Sequence, residues 1–71
     1  MYTYEDASRL AYALARKKGV PTRYIGNHVA ALVDRKRNRP VSALDAARAA
    51  VERAATAERR LAHDTGAENW Y

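Results

Sequence analysis

Hydrophobic residues recur at helical spacing in three successive stretches of this chain. In the first stretch they stand at i, i+3, i+4 and i+7, as Ala7, Leu10, Ala11 and Leu14. That spacing places one apolar stripe along the side of a helix. Thr3 precedes the stripe and Asp6 follows three residues later, which is the pattern of a helix capping box. We therefore predict a helix over about residues 3–18.

A second apolar stripe follows after a glycine and a proline. Its members are Ile25, Val29 and Leu32, with Val33 beside them. Pro21 and Thr22 stand before the stripe as residues that favour a helix start. Asn38 and Pro40 follow it, and a proline disfavours helical geometry in the residue that precedes it. The pattern predicts a second helix over about residues 22–37.

The third stretch is rich in alanine and has the plainest helix start in the chain. Ser42 is a good N-cap residue, and Asp45 stands three residues after it. The apolar positions that follow are Leu44, Ala47, Val51, Ala54 and Leu61. We predict a helix over about residues 42–63 and a tail over residues 64–71. Such a helix exceeds roughly 30 Å, so we expect part of it to extend beyond the other two.

Length and composition favour one domain over residues 1–71, an all-α bundle of three main helices. The chain has 71 residues and no cysteine, and alanine supplies 16 of its hydrophobic residues. Because each alanine buries little area, we expect close helix packing or a partner chain. The sequence shows no run of about 18 apolar residues and no secretory leader, which indicates a cytoplasmic protein rather than a membrane or secreted one.

The net charge of +5 is spread unevenly along the chain. Residues 1–40 hold nine Lys or Arg against three acids, whereas residues 41–71 hold four Arg against five acids. The positive field therefore belongs to the half with the first two helices. Such a field suits a polyanion, nucleic acid above all, although an arginine-rich surface is also solvated without any partner.

Residues 14–29, LARKKGVPTRYIGNHV, resemble the helix-turn-helix of small transcriptional regulators. In that family Leu-Ala is followed, after three residues, by Gly-Val. A Ser, Pro or Thr then begins the second helix, and an Ile stands five residues after the Val. Leu14, Gly19, Val20 and Ile25 hold these positions here. The resemblance covers about a quarter of the chain. It implies a double-stranded DNA-binding protein, such as a phage- or plasmid-type repressor or an excision factor.

The resemblance also implies roles for individual side chains. The outer face of the second helix would enter the major groove and bring Thr22, Arg23 and Asn27 to base edges, where Arg pairs with guanine and Asn with adenine. The flanking cations would contact phosphates; they are Arg16, Lys17, Lys18, Arg35, Lys36, Arg37 and Arg39. Cations at a helix C-terminus are favoured in any protein, so a purely structural role for these residues stays open.

Two further residues of the second helix invite an interpretation. Gly26 costs about 1 kcal/mol of helix stability relative to alanine. It suits the close approach of DNA backbone or of a packed neighbour, or it is simply a tolerated small residue. His28 and His63 stand far apart without any cysteine, so we expect no metal site and assign His28 to the edge of the core.

The sequence contains no catalytic constellation. It has no cysteine nucleophile and no glycine-rich phosphate loop, and its acids are scattered, so we expect neither an enzyme nor a cofactor. The leading hypothesis is a DNA-binding regulator that acts as a homodimer, since a two-fold symmetric DNA site favours two recognition helices, one from each subunit. The alternative is a protein-binding module, for example a small inhibitor or antitoxin-like protein, that docks its basic face on an acidic partner. Its apolar anchor would be the C-terminal helix or the pair Trp70 and Tyr71. RNA binding and a purely structural role are lesser alternatives.

Overall fold

The protein is a bundle of three helices in the computed structural model, which describes the backbone of residues 2–65 and the side chains of residues 2–60. The helices are α1 (Tyr4–Lys18), α2 (Ile25–Val33) and α3 (Ala43–Thr65), and no strand occurs in this part of the chain. Each helix packs against the other two. The prediction of an all-α bundle with a long C-terminal helix is therefore confirmed.

Local capping interactions define both ends of α1, as predicted. The Asp6 backbone N–H donates to Thr3 Oγ1 at 3.2 Å, and the Thr3 N–H donates back to Asp6 Oδ2 at 3.1 Å. Hydrogen bonds from Thr3 lower the pKa of the Asp6 carboxyl. At the other end Gly19 adopts a φ of 73°, a left-handed conformation that side chains with a Cβ disfavour. Val20 N–H then closes the helix on the Ala15 carbonyl at 2.8 Å.

The start of α3 is also the predicted one. Asp45 N–H donates to Ser42 Oγ at 3.1 Å, and the helix continues to Thr65, two residues beyond the predicted end. Its last buried residue is Ala54, and no side chain between residues 55 and 60 is buried. The C-terminal half of α3, as far as its side chains are described, therefore extends beyond the core.

The prediction for α2 was too long at both ends. The helix begins at Ile25, because residues 22–25 form a turn in which the Ile25 N–H donates to the Thr22 carbonyl at 3.2 Å. It ends at Val33, and residues 34–39 are all exposed. A helix gains most of its stability from a buried face, which this segment lacks. Continuing it would also set Arg35 and Arg39 at the repulsive i, i+4 spacing.

One core joins the three helices, and it is built mainly of alanine. From α2 it contains Ile25, Val29 and Leu32, as predicted; from α1 Ala7, Ala11 and Ala15; and from α3 Ala46, Ala47, Ala50, Val51 and Ala54.

Leu10, Leu14 and Leu44 were predicted to belong to the apolar stripes that face the core, but none of the three is fully buried. Leu10 and Leu44 are 39% and 41% exposed, and Leu14 is half-buried. Small residues at the contact allow two helices to approach closely, and a leucine on that line would hold them apart. The predictions for Leu61, Trp70 and Tyr71 fall outside the described side chains.

Truncation of Ile25 tests which side chains support the core. Ile25→Ala should lower the free energy of unfolding by about 2–4 kcal/mol, because its side chain is fully buried and a cavity would remain. Leu14→Ala removes a half-buried side chain and should cost less. Urea denaturation followed by circular dichroism measures both. Equal costs for the two variants would contradict this description of the core.

Candidate nucleic-acid interface

The seven cations predicted to contact phosphates form two groups, one on each side of α2 in the chain. Arg16, Lys17 and Lys18 occupy the last turn of α1. The other four, Arg35, Lys36, Arg37 and Arg39, lie in the loop between α2 and α3. All seven are exposed. Within the described residues the one ion pair involves none of them, so no acid there neutralises their charges.

The loop after α2, residues 34–42, is fastened to the segment that precedes α1. Tyr2 donates its hydroxyl hydrogen to the Pro40 carbonyl at 2.6 Å. The Arg39 guanidinium lies 4.9 Å from the centre of the Tyr2 ring, within the range of a cation–π interaction. Asn38 in the same loop has a φ of 57°. Tyr2 therefore helps position the basic loop, a role that no sequence pattern indicated because the two partners are 38 residues apart.

The outward side of α2 carries few polar groups. Asn27 and Ala31, one turn apart, are both exposed, and Tyr24 just before the helix is exposed as well. No charged residue occurs between Ile25 and Val33. Of the three side chains predicted to read bases, Asn27 is thus the one that lies on α2.

Thr22 and Arg23 lie in the turn that precedes α2, which corrects their predicted place on the helix. Thr22 is half-buried and its carbonyl accepts the Ile25 N–H. Arg23 Nε lies 3.8 Å from Glu58 Oε1 on α3. Because the Arg23 side chain is largely exposed, this pair is worth at most about 1 kcal/mol. Arg23 can exchange Glu58 for another anion at little cost.

Gly26 lies close to two tyrosine hydroxyl groups of α1. The Tyr4 hydroxyl donates to the Gly26 carbonyl at 3.2 Å. A Cβ built at Gly26 would lie 2.8 Å from the Tyr4 hydroxyl oxygen and 3.6 Å from that of Tyr12. Of the alternatives open at the sequence level, the close approach is therefore made by tyrosine side chains of the same chain. This side of α2 is covered, which leaves the Asn27 side for a ligand.

His28 lies half-buried at the edge of the core, as predicted, and borders an open groove between α2 and α3. The groove has a volume of about 730 Å³, and Leu32, Glu52 and Arg53 are among its other lining residues. Burial lowers the pKa of His28, and the positive charge of Arg53 lowers it further. The imidazole is therefore neutral at pH 7 in the free protein.

The described part of the chain contains neither a cluster of metal ligands nor a membrane-spanning helix. No group of three or more His, Cys, Asp or Glu residues in it could hold a metal ion. None of its helices is long and apolar enough to cross a bilayer.

Comparisons with protein-family models, with curated proteins and with solved structures gave no match to this chain.

The titration of His28 tests the groove geometry. Its pKa in the folded protein should lie below 6.5 and should return to about that value in urea. Because the neutral form is favoured on folding, this group contributes stability above pH 6.5 that is lost as the pH falls through the folded-state pKa. Arg53→Ala should raise the pKa of His28. NMR of the imidazole protons measures each value, and a folded pKa at or above 6.5 would contradict the placement.

Proposed function

We propose that the protein binds double-stranded DNA and acts as a small transcriptional regulator or excision-type factor. The observation that carries this proposal is that seven cations are exposed, three before α2 and four after it. Among the described residues none of them is paired with an acid. Between residues 16 and 40, Asp34 is the one acid against eight Lys or Arg. A surface of this kind gains binding energy from DNA by releasing the counterions condensed on its phosphates.

The outer side of α2 suits an approach to base edges. Ala31 is small and exposed, and Asn27 beside it can pair with adenine through two hydrogen bonds. Arg23 and Thr22, in the turn before α2, are held by weak or local interactions. The proposal therefore assigns base reading to Asn27, with Arg23 and Thr22 beside the helix, and phosphate contacts to the two basic groups.

A salt series on charge variants tests the phosphate contacts. Arg37→Ala should weaken binding to a random 20-base-pair duplex and flatten the log–log salt slope by about one unit, and replacement of Arg16, Lys17 and Lys18 together should flatten it by about three. Arg48→Ala is the matched control, because Arg48 is exposed on α3 between Asp45 and Glu52. Fluorescence anisotropy measures the affinities.

Base reading is tested on a preferred site selected from random duplexes. Asn27→Ala should cost about 1–3 kcal/mol on that site and little on random DNA, whereas Arg37→Ala should weaken both alike. The proposal fails if the wild-type protein does not bind duplex at low salt. It also fails if Arg48→Ala flattens the slope as much as Arg37→Ala does.

We propose further that the DNA-bound form is a homodimer. Val41, Leu44 and Leu10 leave apolar surface exposed on the single chain, with Val41 88% exposed. Burial of such surface in a partner adds stability to a small core of alanines. Static light scattering should give about twice the mass of one chain at tens of micromolar protein. A mass of one chain at that concentration, with and without duplex, would contradict the dimer.

A further inference from the structure

The groove between α2 and α3 combines an apolar floor with a basic rim. Ala49 and Ala57 of α3, both half-buried, form its floor together with Leu32. Three arginines line it: Arg53 and Arg60 from α3, and Arg35 from the loop after α2. The groove therefore offers an apolar surface and hydrogen-bonding cations to the same ligand.

The length of the groove indicates the size of its occupant. Its lining runs along α3 from Ala49 to Arg60, which at about 1.5 Å per residue is roughly 16 Å. A single small anion would fill a fraction of that length. A helical segment of about three turns matches it, and amphipathic helices commonly bind in grooves of this kind by their apolar side.

The charges in the groove favour an acidic occupant. Glu52 is the one carboxylate among its lining residues, against three guanidinium groups. Arginine forms paired hydrogen bonds with carboxylates, which are stronger than those between neutral groups. His28 adds no charge in the free protein, because burial and Arg53 keep its pKa low. Duplex DNA would satisfy the arginines but has no apolar stripe to place on the alanine floor.

We propose that the groove binds an acidic amphipathic helix of a partner protein, whose apolar stripe packs on Ala49, Ala57 and Leu32 while its carboxylates bind Arg35, Arg53 and Arg60. This surface is separate from the outer side of α2 and does not depend on DNA binding. Arg35 belongs to both surfaces. An effect on DNA binding rests on the proposed function: an acidic helix in the groove withdraws Arg35 from the phosphate-contacting loop and so weakens DNA binding.

A designed peptide tests the proposal without knowledge of the natural partner. The probe is a fluorescein-labelled 14-residue peptide with leucines at i, i+4 and i+7 and glutamates on the flanking positions. The matched control peptide has the same composition with the leucines scattered. The 71-residue protein should bind the first peptide and bind the second at least about tenfold more weakly, because only the first peptide presents its leucines as one apolar stripe to the alanine floor.

Arginine variants locate the bound peptide. Arg53→Ala and Arg60→Ala should each weaken peptide binding about two- to fivefold, the loss expected for an ion pair made by an exposed arginine. Arg48→Ala changes the net charge equally but does not line the groove, and it should leave the peptide affinity unchanged. Circular dichroism of each variant verifies that the helices are intact. Equal losses for Arg48→Ala and Arg53→Ala would overturn the proposal, as would equal binding of the two peptides.

His28 provides a second, independent readout. Arg35, Arg53, Arg60 and Glu52 are the charged groups that line the groove with it. Carboxylates brought in by the peptide stabilise the imidazolium, so saturating peptide should raise the pKa of His28. The bound state then takes up a proton, and peptide affinity should increase as the pH falls from about 7 to 6. An unchanged His28 pKa at saturation would place the peptide elsewhere and overturn the proposal.

Discussion

The structure depends on the close contact between α1 and α3, which meet through alanine side chains. Ala7, Ala11 and Ala15 are completely buried, and so are Ala46 and Ala50 on the other helix. Small side chains allow the two helices to approach, but each buries too little apolar area to stabilise the fold by itself. Among the side chains of residues 2–60, Ile25 and Val29 of α2 are the largest that are fully buried, and they supply much of the remaining apolar burial.

The packing of the core explains where the exposed cations lie. Between Gly19 and Ser42 only the nine residues of α2 are helical. Only they present an apolar face that α1 and α3 can bury. The cations on either side stay exposed to solvent, as Arg37 illustrates, although Arg39 also lies over the Tyr2 ring. Tyr2 holds one of these basic segments to the start of α1 by its bond to Pro40. The small apolar area of the core and the exposure of the basic loop are therefore two results of the same packing.

The two proposed surfaces meet at Arg35. It lies two residues after the end of α2, within the loop assigned to phosphates, and it also lines the groove against α3. A cation shared in this way couples two ligands by simple competition, without any change in the fold, because an acidic helix neutralises a charge that the DNA would otherwise use. His28, half-buried in the same groove, makes the peptide side of that coupling depend on pH.

Features that arise between neighbouring residues could be predicted from the amino-acid pattern. Each of these features depends on residues a few positions apart, so periodicity and capping rules identify them. They are the capping box of Thr3 and Asp6, the Ser42 cap, the turn at Gly19 and the apolar stripe on α2. Helix packing, in contrast, makes alanines rather than Leu10 and Leu44 face the core and limits α2 to nine residues. It also sets which distant groups form hydrogen bonds. The bond between Tyr4 and Gly26 spans 22 residues and that between Tyr2 and Pro40 spans 38. Contacts of this kind depend on the distance between packed helices, which a local sequence pattern does not specify.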